Sequence, residues 1–242
     1  MKLEKPYTIT HKTYFNQRLQ QFYFHGKLTR PLYAQVTFDR KTIFFKSYYF
    51  DLFAKPRYAV RVAGKAYAPD IKDIIRKEEA LIEFVIDKNI QKFSLDIFKK
   101  DYAFYCIDLL DTMEEDFLTY LNTFFHDEGM PFIGDSIAAN AADAEPYYLI
   151  QDMKLALAPA LYKKLIENSF HYAPPYLPLF GFALQFKKPP LMCLTVLEWE
   201  DKKIKESFTV YVNKTFGNKE GIKVTAEVEK WVAAFRLKNI PE

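Results

Sequence analysis

Cysteine is nearly absent: Cys106 and Cys193 are the only two in 242 residues. Neither belongs to a C-x-x-C pair, and two thiols cannot build a disulfide framework. Both read as buried small hydrophobes, with a single long-range bridge as the alternative. Neither has a basic neighbour in sequence, and no G-x-S-x-G occurs, so the usual contexts of a cysteine or serine nucleophile are missing. No G-x-G-x-x-G follows a strand and no G-x-x-x-x-G-K-[ST] exists. Gly217-Asn218-Lys219-Glu220-Gly221 reads as a polar loop, not a phosphate cradle. Long apolar runs are also absent. Nothing approaches the roughly 20 residues of a spanning helix, and the polar start Met1-Lys2-Leu3-Glu4-Lys5-Pro6 lacks a hydrophobic leader core. The expectation is a soluble, cytoplasmic protein without a membrane partner, in which the Asn213-Lys214-Thr215 sequon is an accident of composition.

What is abundant is aromatic: 23 Phe and 17 Tyr. Disordered chains are poor in such residues. A chain of this length buries roughly 70–75% of its extended surface, enough to fold without metal or disulfide. Charge is segregated. Residues 1–70 hold 13 Lys/Arg against 4 Asp/Glu, residues 71–152 hold 7 against 18, and residues 153–242 hold 14 against 9. Such asymmetry marks either a basic, anion-binding part beside an acidic one or two parts that attract each other.

Periodicity orders the elements. Leu32, Ala34, Val36 and Phe38 alternate with polar residues, Asp39-Arg40-Lys41 breaks the run, and Thr42-Ile43-Phe44-Phe45-Lys46 resumes it, which reads as a hairpin. Phe22-Tyr23-Phe24 before Gly26 and Tyr58–Val62 before Ala63-Gly64-Lys65 read as further strands. From Asp70, a plausible N-cap, apolar residues recur near a 3.6 period and predict a helix over 71–88. Ser94 caps a second helix to about 110. Thr112 and Glu115 have capping-box spacing for a third, ending near Asp127 with Gly129 as its stop. Residues 130–145 read as a loop. Pro146 and Pro159 begin or restart helices, and 172–178 reads as an extended linker. Leu191–Trp199 and Ile204–Val212 read as a β-hairpin, followed by a terminal helix bearing Val228, Trp231, Val232 and Phe235 on one face. The predicted class is α+β: an N-terminal antiparallel sheet, a central helical region, then a C-terminal β-hairpin and helix. Three regions are expected: a basic, aromatic β region at 1–69, an acidic helical region at 70–170, and the linker, hairpin and helix of 171–242, with one compact domain of all three as the alternative.

Candidate chemistry is sparse. Of His11, His25, His126 and His171, none is paired at zinc spacing. His126-Asp127-Glu128 is the most ligand-like cluster, but consecutive helical residues point in different directions. Asp108, Asp111 and Glu115 share a helical face, and helix capping accounts for them without catalysis. Phe98, Tyr102, Tyr105 and Leu109 at helical spacing read as core. No catalytic, metal-binding or cofactor-binding residue is assigned.

One region stands apart. Residues 1–70 interleave cations with sixteen Phe/Tyr, the pairing that nucleic-acid binders use for phosphates and bases. If Val36 and Phe38 face a core, then Tyr33, Gln35, Thr37 and, across the hairpin, Thr42, Phe44 and Lys46 face outward. Arg30, Arg40, Lys41, Lys46, Arg57 and Arg61 are the candidate nucleic-acid-binding residues. The run from Arg30-Pro31-Leu32-Tyr33 through Asp39-Arg40-Lys41-Thr42 to Lys46-Ser47 resembles the arm-type DNA-binding domain of bacterial tyrosine recombinases. The resemblance implies a short sheet that contacts DNA, and helices after residue 70 in the place of a core-binding domain. It implies no recombination chemistry, because the family's His-x-x-Arg occurs nowhere in this sequence. Three readings follow. The first is a non-enzymatic protein with a protein-protein or structural role, whose partner is another protein or itself. The second is a nucleic-acid-binding accessory protein that uses the basic sheet on DNA. The third is an enzyme of unrecognised type, with His126, Asp127, Glu128 and His171 as the residues to test.

Overall fold

Two consecutive non-glycine residues with positive φ set the hairpin between 32–38 and 41–46. Asp39 (φ 47°) and Arg40 (φ 61°) form a two-residue turn of the mirror-image type, whose twist matches that of the flanking strands. The computed structural model describes residues 8–62, 65–140, 145–188, 190–217 and 220–238. Contacts divide the chain into two compact units. One is built on residues up to Cys106, the other on Ile107–Lys188 and Met192–Lys238.

In the first unit, strands β1 (Thr10–Phe15), β4 (Leu32–Phe38) and β5 (Lys41–Lys46) form an antiparallel sheet in the order β1-β4-β5. Hairpins β2 (Phe22–Phe24)–β3 (Lys27–Thr29) and β6 (Val60–Val62)–β7 (Lys65–Tyr67) stand beside it. In the centre of the sheet Leu32, Ala34 and Val36 are wholly buried. Phe45 meets the rings of Phe98 and Tyr102 at 5.8 and 4.5 Å, and Phe38 meets Phe93 at 5.0 Å. Those rings belong to the segment around α3 (Leu95–Tyr105), and α2 (Ile71–Lys88) lies against β1, where Thr13 donates to Glu79 at 2.8 Å. The short α1 (Tyr48–Phe53) adds Phe50 and Phe53 to the same core. The α2 helix has the predicted bounds and the Asp70 cap, which accepts from the Lys72 amide.

In the second unit, α4 (Leu109–Asp127) is followed by α5 (Pro131–Ala139), α6 (Pro146–Ala156), α7 (Pro159–Tyr172), α8 (Tyr176–Ala183), α9 (Val196–Trp199), α10 (Lys202–Phe216) and α11 (Glu220–Lys238). Gly129 (φ 74°) ends α4 as expected, and prolines open α5, α6 and α7.

The α+β class holds, with the sheet N-terminal and helices after it, but the C-terminal β-hairpin does not form. Thr195 and Glu198 make a capping box that starts α9, and Asp201 caps α10 through the Lys203 amide. Ile204, Phe208 and Val212 fit the 3.6 period of one helical face as well as an alternating strand, and burial of Phe208 and Val212 decides for the helix. Only the segment before α9 is extended, where Asp108 and Thr195 form an isolated antiparallel bridge. The expected linker is also mostly helix. All eight residues of α8 are buried, so they show no polar face and no period to read. The loop expected over 130–145 contains α5; residues 141–144 lie outside the described residues.

The helix expected to run to about 110 ends at Tyr105, and α4 starts at Leu109, three residues before the Thr112-Glu115 box. Its cap is the buried Asp108, which accepts from the amides of Leu110, Asp111 and Leu194. Thr112 instead donates back to the Asp108 carbonyl at 2.8 Å. Part of the 217–221 loop, Asn218 and Lys219, lies outside the described residues. Among the described residues, no helix is long and apolar enough to cross a membrane.

Candidate nucleic-acid interface

Alternation along β4 sends Leu32, Ala34 and Val36 inward, and leaves Tyr33, Gln35 and Thr37 on the opposite face. Residues directly opposite in an antiparallel pair share a face. The register therefore builds three ranks across the sheet: Tyr14, Tyr33 and Lys46; Lys12, Gln35 and Phe44; Thr10, Thr37 and Thr42. No carboxylate stands in any rank. Phe44 is 60% exposed. The Tyr14 and Tyr33 rings lie 6.5 Å apart, and the Lys12 ammonium sits 5.5 Å from the Tyr14 ring centre. The Thr37 and Thr42 hydroxyls are 2.9 Å apart, with the Gln35 amide donating to Thr37 at 3.4 Å. Lys46 pairs with Asp51 at 2.7 Å, with both side chains about half exposed. The hairpin tip adds exposed Arg40 at one end of the face, with the exposed Lys41 beside it at the start of β5, opposite Phe38.

Of the six candidate cations, the structure gathers Arg40, Lys41 and Lys46 on β5 and its turn. Arg30 is placed differently. One of its terminal nitrogens donates to the carbonyls of Gln17 and Leu19, at 2.8 and 2.5 Å, and so clamps the loop after β1. The side chains of Arg57 and Arg61 lie outside the described residues. The sequence reading missed the β1 contribution, because Thr10–Phe15 alternates weakly. Its only signal was the β-favouring Thr13-Tyr14-Phe15.

The other candidate clusters resolve into structural contacts. His126 bonds Asp135 at 2.9 Å, and Glu128 pairs with Lys164, so the three residues 126–128 do not converge. Asp108, as described, is a cap and a bridge. Among the described residues, no group of His, Cys, Asp and Glu could hold a metal ion. Cys106 and Cys193 are both buried and form no disulfide, and burial pushes the Cys106 thiol far above its ordinary range.

Beneath the sheet lies one buried carboxyl. Glu78 on α2 is wholly buried and accepts from the hydroxyls of Ser47 and Tyr102, each at 2.5 Å. Ser47 at the same time caps α1 by accepting from the Phe50 amide, and the Tyr102 oxygen accepts from the Tyr48 amide at 3.2 Å. Burial raises the Glu78 carboxyl above its usual range, against the opposing pull of its hydrogen bonds. The network ties α1, α2 and α3 together behind the outer ranks.

No protein-family model, curated protein or solved structure matches this chain.

Proposed function

We propose that this protein works by binding, and that the outer face of its β1-β4-β5 sheet is a platform for duplex DNA. The observation that carries the reading is the three-rank face itself: hydrogen-bonding, aromatic and cationic groups with no carboxylate among them. Three strands spaced about 4.8 Å apart span roughly 10 Å, which suits a major groove about 12 Å wide. Gln35 carries the paired donor and acceptor that suit adenine, and the Thr37 and Thr42 methyls suit thymine. Arg40 and Lys41 project from the tip, where phosphates flank a groove, and Lys12 stands on the far strand. The likeness of residues 30–47 to arm-type DNA-binding domains agrees with this assignment, as does the basic balance of the first 70 residues.

Fluorescence anisotropy with labelled duplex DNA tests it. Four phosphate contacts, from Lys12, Arg40, Lys41 and Lys46, predict an affinity loss on the order of a hundredfold between 50 and 200 mM salt. Arg40→Ala/Lys41→Ala/Lys46→Ala abolishes that binding. An absence of binding at 50 mM salt, or equal binding by the triple variant, overturns the proposal.

A further inference from the structure

A second surface feature lies in the helical unit, and no residue of the sheet lines it. The outer side of α4, the end of α7 and the middle of α11 enclose a cleft of about 880 Å³. It continues past Ala173 and Pro174 into a hollow of about 790 Å³ that shares His171 and Glu227. Tyr120 and Phe124 form its floor with Trp231, and Tyr172, 76% exposed, stands at its rim.

Along the α4 wall the lining positions are 116, 119, 123 and 127. Eleven residues at 3.6 per turn return to the same face, so Asp116 and Asp127 stand on one line about 16 Å apart. Both are exposed, and neither forms an ion pair among the described residues. The other charged walls are already paired: Glu128 with Lys164, and Glu227 with Lys230 at 2.8 Å. Between the two carboxylates the wall presents the Thr119 and Thr123 hydroxyls. Each donates to its own helix, at 3.0 Å, and so keeps acceptor capacity toward the cleft. Asn168 of α7 also lines the cleft.

We propose that this cleft is a docking groove for an extended basic peptide segment, with one cationic side chain on Asp116 and another on Asp127. In an extended chain, residues i and i+4 point the same way and lie roughly 13 Å apart. Flexible Arg or Lys side chains cover the remaining distance. The backbone amides between them meet Thr119, Thr123 and Asn168, groups that the methylenes of a linear polyamine leave unused. The faces of Trp231 and Tyr172 suit a guanidinium. The cleft volume, within the range of specific ligand sites, also exceeds what a thin aliphatic amine fills.

The test uses the full chain and a labelled, capped peptide with two arginines four residues apart. The chain has two tryptophans; Trp199 is wholly buried, so a ligand-induced fluorescence change reports on Trp231. Expected are saturable binding and a tryptophan change that Trp231→Phe removes. Binding weakens roughly fivefold or more in Asp116→Asn/Asp127→Asn and is lost when the arginines become glutamine. Circular dichroism checks that the variants remain folded, as substitution of two exposed side chains predicts. Undetectable binding at millimolar peptide, equal binding by the double variant, or equal binding of spermine overturns the proposal. Because all these residues belong to the helical unit, the outcome is independent of the DNA test on the sheet.

Discussion

Glu78 is a carboxyl held above its ordinary titration range by burial. Its carboxyl is wholly buried among Ser47, Tyr102 and the α1 backbone, and burial raises its pKa. A raised carboxyl pKa means that the folded chain holds a proton which the unfolded chain gives up. Between the ordinary carboxylate value and the raised one, stability therefore falls as pH rises. Glutamine keeps one acceptor oxygen and removes the titration. The urea midpoint of Glu78→Gln should thus gain on that of the unaltered chain as pH rises from about 4.5 toward neutrality. Parallel midpoints across that range would mean that the carboxyl titrates alike in both states. As a residue type, nothing distinguishes Glu78 from Glu79 or Glu83. Its position at the buried face of α2 does so, and helix period alone places it there.

At the scale of the element, the β4–β5 turn joins fold and proposed function. Asp39 and Arg40 both sit in the left-handed region, where a side chain costs about 1 kcal/mol relative to glycine. Arg40→Gly should therefore raise stability by about 0.5–1 kcal/mol in denaturant unfolding while weakening DNA binding. A gain in stability with unchanged DNA affinity would detach Arg40 from the interface. Asp39-Arg40-Lys41 was legible as a break between alternating runs, although neither glycine nor asparagine advertised the turn. The outer ranks Tyr33, Gln35 and Thr37 against Lys46, Phe44 and Thr42 follow from that alternation once the register is known. The β1 rank was not legible. Strand pairing joins residues 17 to 27 positions apart, and no local period records it.

At the scale of the whole molecule, net charge and charge placement make different predictions. The formal net charge is only +3, so bulk attraction to a polyanion is weak, and binding depends on where the cations stand. Replacing Lys202, Lys203 and Lys214 on α10 by alanine removes as much charge as Arg40→Ala/Lys41→Ala/Lys46→Ala. The α10 variant should leave DNA affinity within about twofold, whereas the β5 variant abolishes it. Equal losses in the two variants would assign the binding to net charge and not to the sheet.

The sequence alone determined the elements whose signals are local: the Asp70 cap and period of α2, the prolines that open α6 and α7, the Gly129 stop, and the alternation of β4. It also determined the basic and aromatic character of the sheet. Tertiary structure decided the rest. It turned 196–216 from an apparent hairpin into two capped helices, because Ile204, Phe208 and Val212 satisfy both periods and only packing chooses between them. It made a buried helix of 176–183, whose uniform hydrophobicity carries no period. It placed Asp108 as the bridge between the start of α4 and the strand-like residues before α9, a contact across 86 positions. Short-range hydrogen bonding and side-chain period are written along the chain, whereas burial and long-range pairing exist only after it has closed on itself.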